Sequence, residues 1–65
     1  MISKNLKYLR KEHGLSQEEF AEKLNVSRQT VAKWENGDNL PDIENCKMIA
    51  SYFDTTIDNL VYYSF

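Results

Sequence analysis

A pair of helix starts, Ser16 and Ser27, with only ten residues between them, leaves this chain few folds to choose from. Ser16-Gln17-Glu18-Glu19 is a capping box, in which the Ser hydroxyl and the carboxylate three residues on reciprocally satisfy free backbone amides. The helix it opens runs from Gln17 to about Leu24 and buries Phe20, Ala21 and Leu24, the small Ala allowing a second helix to approach closely. Asn25 tolerates a left-handed backbone and turns the chain sharply into Val26, and Ser27 caps the next helix. From Arg28 to Asn36, Val31 and Trp34 face inward at a spacing of three, which leaves Arg28, Gln29, Ala32, Lys33 and Asn36 on the opposite stripe. Gly37 stops that helix.

The flanking segments are helical too. Ser3 is the expected cap of a first helix, with Ile2, Leu6, Leu9 and His13 at helical spacing, Lys4, Lys7 and Lys11 on another face, and Gly14 at its end. After the Gly37 to Pro41 loop, Asp42 caps a fourth helix whose apolar face is Ile43, Cys46, Ile49, Ala50 and Phe53. Thr56, with Asn59 three residues on, starts a short fifth helix contributing Ile57, Leu60 and Val61. The expectation is an all-α, five-helix fold in one domain over 1–65, with no repeat or low-complexity segment to mark a linker. A chain this short buries only about 60 % of the surface its unfolded form exposes, so a partner subunit would help it. The tail 61–65 carries three aromatics, which either form a dimer surface or close the monomer's own core.

Charge is distributed unevenly. A net charge of -2 and a pI near 5.2 argue against a nucleic-acid binder. Yet residues 1–33 hold seven Lys or Arg against four Glu, whereas residues 34–65 hold one Lys against six acids. Such a dipolar chain can present a basic end to DNA and an acidic end to solvent or a partner. One Cys and one His make neither a disulfide framework nor a four-ligand zinc site, and no cofactor is expected. No segment reads as a membrane span or signal peptide, so the chain is placed in the cytoplasm, away from membranes.

Gln17 to Asn36 resembles, position for position, the twenty-residue helix-turn-helix of the Cro and phage-repressor type (XRE) family. Phe20, Ala21, Leu24, Val26, Val31 and Trp34 fall on that family's buried positions, and Asn25 replaces the more usual Gly at the turn. The likeness extends through Glu35-Asn36-Gly37 and the Pro41 loop, and it implies a compact lambda-repressor-like DNA-binding domain. By that resemblance the third helix reads the major groove. Arg28 suits a bidentate pair to guanine, Gln29 suits adenine, Lys33 reaches a base or a phosphate, and Ala32 or Thr30 offers a methyl to thymine. Gln17 matches the family's phosphate-contacting glutamine, at a helix end whose free amides also favour an anion, with Ser27 and Asn36 as secondary phosphate contacts. Arg10 and Glu35 match a structural ion pair.

The implied function is a transcriptional regulator, a repressor binding an inverted-repeat operator as a homodimer, with double-stranded DNA as partner and no small-molecule effector. The competing reading is a protein-interaction module, an antitoxin or anti-repressor partner on the same fold. Plain readings also exist for single residues. A solvated helix face explains Arg28, Gln29 and Lys33 in isolation, core packing explains Trp34 and Cys46, and His13 is a capping or surface residue. No nucleophile-base set is present, which sets an enzyme aside.

Overall fold

A computed structural model describes residues 1–64; Phe65, part of the aromatic tail, lies outside the described residues. The described residues form α1 (Ile2–Glu12), α2 (Gln17–Leu24), α3 (Arg28–Asn36), α4 (Ile43–Tyr52) and α5 (Ile57–Tyr62), with no strand among them. Helix starts follow the cap chemistry. Ser16, Ser27, Asp42 and Thr56 each accept a hydrogen bond from the backbone amide three residues on, satisfying donors that a helix start leaves free. At Ser16 the box is complete, since the Glu19 carboxylate accepts from the Ser16 amide at 2.8 Å.

Helix α1 departs from this rule. Met1 is its N-cap and no side chain caps it, whereas Ser3 lies inside the helix and is buried. The expected Ser3 cap is therefore wrong, because the first turn of α1 packs inward: a methyl at Gly37, at the end of α3, would sit 3.9 Å from Ser3 Oγ. The other α1 expectations divide. Leu6 and Leu9 are buried and Ile2 packs on the core, but His13 is exposed, caps the C-terminus of α1, and lays its ring 4.7 Å from that of Phe53.

Helix ends rely on left-handed residues. Asn25 at φ 57° closes α2 and Gly37 at φ 81° closes α3, a region that most side chains avoid. Asp54, at φ 54°, does the same after α4, where the Thr55 amide donates to Ala50 O at 2.8 Å. Nothing in the sequence pattern singled out Asp54.

One core joins all five helices. Leu6, Phe20, Val31, Ile49 and Leu60 are its fully buried side chains, with Leu9, Ala21, Leu24, Trp34, Ala50 and Phe53 around them. Helix α2 packs on α3 and α4, and α1 packs on α3 and α5. Ile43, expected on the apolar face of α4, is 62 % exposed. It belongs to the first turn, where the preceding Pro41 takes the buried position instead. Cys46 is buried with its thiol donating to Pro41 O, and desolvation, with Asp42 nearby, pushes its pKa up. Of the tail, Tyr62 and Tyr63 are exposed and Val61 is half-buried, so the two tyrosines do not close the core.

A buried polar side chain fastens the last helix. Asn5 Nδ2 donates to Leu60 O and to Tyr63 O, each at 2.7 Å, supplying donors to carbonyls at the end of α5. Leaving such a carbonyl dry and unpaired costs about 1 to 3 kcal/mol.

Candidate nucleic-acid interface

Helix α3 divides cleanly by face. Val31 and Trp34 are buried while Arg28, Gln29, Lys33 and Asn36 are exposed, and Thr30 and Ala32 are intermediate between them. The inward pair fixes the rotation of the helix, so the polar stripe is turned to solvent by core packing. Ser27 holds the first turn: its hydroxyl accepts from the Thr30 amide at 3.1 Å and meets Thr30 Oγ1 at 2.9 Å. That contact occupies the Thr30 hydroxyl locally.

Behind the stripe lies a polar anchor. Arg10 Nε donates to Glu35 Oε2 at 2.7 Å and Arg10 Nη2 donates to Glu35 Oε1 at 3.0 Å, a bidentate pair joining α1 to the end of α3. The two side chains are only 9 % and 2 % exposed. Arg10 Nη1 also donates to Leu15 O. The hydrogen bonds to Glu35 raise the guanidinium pKa against the opposing effect of burial, so Arg10 is a fixed cation here. Bidentate geometry with a further bond from Nη1 to Leu15 O is a form in which a buried pair orients elements without stranding charge.

Gln17 connects the anchor to the surface. Its Nε2 donates to Glu35 Oε1 at 3.1 Å, and its Oε1 accepts from Arg28 Nη1 at 3.5 Å. The chain thus brings Gln17, Arg28, Glu35 and Arg10 into one connected set, while Gln29, Lys33 and Asn36 stand apart along the exposed stripe. Neither the Gln17–Glu35 bond nor the Asn5 clamp was anticipated. Asn5 did carry a signal, because its spacing from Ile2 and Leu9 puts a polar residue on the apolar side of α1. Gln17 and Glu35 are eighteen residues apart on different helices, and no local pattern connects them.

Among the described residues no group of His, Cys, Asp and Glu is placed to hold a metal ion. No described helix is long and apolar enough to cross a membrane. Two short helices joined at a left-handed Asn, the second turning a polar stripe to solvent, make a helix-turn-helix domain. Comparison with known proteins agrees, since the family described as Helix-turn-helix matches residues 6–60. The chain belongs to this family, in its XRE-type branch of transcriptional regulators.

Relatives share most of its length. The HTH-type transcriptional activator BcrR of Enterococcus faecalis is 42 % identical over 60 residues, covering 92 % of this chain and 29 % of BcrR. The uncharacterized HTH-type transcriptional regulator MJ0272 of Methanocaldococcus jannaschii is 39 % identical over 62 residues, covering 95 % and 94 %. Antitoxin PezA of Streptococcus pneumoniae is 38 % identical over 61 residues, covering 94 % of this chain and 39 % of PezA. The chain therefore spans well under half the length of BcrR and PezA. A crystal structure of a transcriptional regulator from Listeria innocua superposes with a TM-score of 0.91 at 45 % identity, over 100 % of this chain and 61 % of that one.

Proposed function

We propose that this domain reads an inverted-repeat operator as a homodimer and represses transcription by occupying it, in the cytoplasm and without a small-molecule effector. One observation carries the reading: the polar stripe of α3 is exposed while Val31 and Trp34 anchor its back. The major groove is wide enough for one such helix. Arg28 forms the bidentate pair with guanine and Gln29 with adenine, each discriminating by roughly 1 to 3 kcal/mol. With the Thr30 hydroxyl engaged by Ser27, its methyl is the part left for a thymine. Lys33, one turn along, serves a base or a phosphate. Gln17, Ser27 and Asn36 set the register through phosphates, which carry no sequence information themselves.

A two-fold dimer places two α3 helices about 34 to 36 Å apart, one turn of duplex. Tyr62 and Tyr63, exposed beside the clamped end of α5, support that face as the dimer surface. Selection of bound sites from a random duplex library tests the reading, paired with light scattering on the complex. The expected product is a palindromic site bound by two chains, with affinity falling steeply as salt rises. Sequence-indifferent binding, or a one-chain complex on a non-repeated site, overturns it.

A second reading follows from the likeness to PezA, whose name describes an antitoxin. In that reading the acidic second half meets a protein partner and DNA binding is secondary. Full operator specificity of the chain by itself, with no co-purifying protein, decides for the first.

A further inference from the structure

The polar set behind α3 has a direction. A carboxylate has no proton to give, so the Glu35 oxygens accept only, and they do so from Arg10 Nε, Arg10 Nη2 and Gln17 Nε2. An amide has one donor end and one acceptor end. With its NH2 held against Glu35, the Gln17 carbonyl oxygen is forced to the other side, where Arg28 Nη1 lies 3.5 Å away. A guanidinium donates only, so the sequence of groups alternates without conflict from the core to the surface: cation, carboxylate, amide, cation. In a partly dry setting such chains polarise one another in the same sense.

We propose that Glu35, buried and off the DNA-facing stripe, is a positioning residue for base readout: it fixes the polarity of the Gln17 amide, so that Gln17 presents an acceptor that holds the Arg28 guanidinium in its reading pose. The inference rests on the proposed role of Arg28 at a base. Glu35 is thus more than a strut between α1 and α3. Replace the carboxylate by a group that also donates, and the Gln17 amide is free to turn its NH2 outward against another donor. Arg28 then loses its tether by a route separate from any loosening of the α1–α3 strut.

Glu35→Gln is the direct test, because it keeps shape and removes the acceptor-only character. Since it leaves Arg10 without a counter-charge, the paired change Arg10→Met with Glu35→Met is made beside it, removing both charges together. Thermal unfolding identifies the folded variants and sets the temperature for binding. Each is then assayed by anisotropy on the selected operator, on single-base variants at the Arg28 position, and on unrelated duplex. Preference at the Arg28 position is expected to fall about fivefold, a fraction of a full bidentate discrimination, over and above any weakening that Gln17 as a phosphate contact spreads equally across all sequences. In an Arg28→Ala background the same changes are expected to add nothing. The proposal is overturned by a folded variant whose preference is unaltered, by equal weakening on every sequence, or by a preference change that persists without Arg28. If Arg28→Ala by itself leaves all operator positions unchanged, the base-reading role of Arg28 fails and the relay falls with it. Unaltered preference beside a sensitive Arg28→Ala removes the relay alone.

Discussion

The unit α2–α3 and the unit α4–α5 are both pairs of short helices, yet they are held by different means. In α2–α3 each start and each end is set within a few residues: Ser16 with Glu19, Asn25, Ser27, Gly37. In α4–α5 the starts are local, at Asp42 and Thr56, but the final end is fastened by Asn5, fifty-five and fifty-eight residues away in sequence. Their surfaces differ as well. Helix α3 shows polar side chains, whereas Ile43, Met48 and Tyr52 stand exposed on α4, and Tyr62 and Tyr63 stand exposed at the last turn and cap of α5. Local chemistry sets the boundaries of the α2–α3 unit, and the Arg10–Glu35 pair ties its far end to α1. A surface with unburied aromatics suits one that finishes its packing against something else.

Helix α1 serves both units, through Arg10 to α3 and through Asn5 to α5, and this is where the contrast can be broken hardest. Arg10→Ala strands the Glu35 carboxylate in a nearly dry site, and the expected loss is about 3 to 5 kcal/mol in urea denaturation. A loss below about 1 kcal/mol makes the pair an ordinary surface bridge and leaves α2–α3 self-sufficient. Asn5→Ala comes next, with an expected cost of about 1 to 3 kcal/mol. Amide hydrogen exchange should show the damage confined to α5, with protection retained in α2 and α3. Uniform loss of protection would mean that the two units are one cooperative block.

Gly37→Ala is a smaller change on the other unit. The added methyl meets only Ser3 Oγ at 3.9 Å, an ordinary contact, so the cost is conformational: about 1 to 2 kcal/mol for an L-residue held at φ 81°. Thermal unfolding measures it. A neutral result would show that the end of α3 relaxes, and would remove the claim that this turn is rigid.

The same contrast explains what could be read from the amino-acid order. The starts of α2 and α3 were legible to the residue and their ends closely, because Ser16, Asn25, Ser27 and Gly37 act on their own neighbours. Burial of Val31 and Trp34, and with it the outward face of Arg28, Gln29 and Lys33, followed from spacing. The Arg10–Glu35 pair was visible only through resemblance to a family. Gln17 as a link between that pair and Arg28 was not legible, since no periodicity reports which side chains meet across helices. Ser3 misled for a related reason: a good capping residue near a start was overridden by packing against the end of α3. Ile43 misled because it is the first residue of α4, where Pro41 already fills the buried position beside the helix start.

The smallest expected effect isolates the local chemistry of α2 from everything long-range. The Glu19 carboxyl is fully exposed, and its pKa is held below the ordinary range first by the Ser16 backbone amide, then by the Ser16 hydroxyl, with Lys23 adding slightly. A carboxylate more acidic when folded stabilises the fold above its unfolded pKa, near 4.3, and the contribution disappears as pH falls through the lower folded value. The stability difference between the wild type and Glu19→Gln should therefore be constant at neutral pH and shrink as pH drops from about 5 toward 3. Gln retains an oxygen able to accept from the Ser16 amide, so the part that titrates reports the charge and not the bond as such. A difference that stays flat across that window would assign the strength of this helix start to geometry, and the α2 cap would then behave no differently from the Thr56 cap of α5, which lacks a carboxylate.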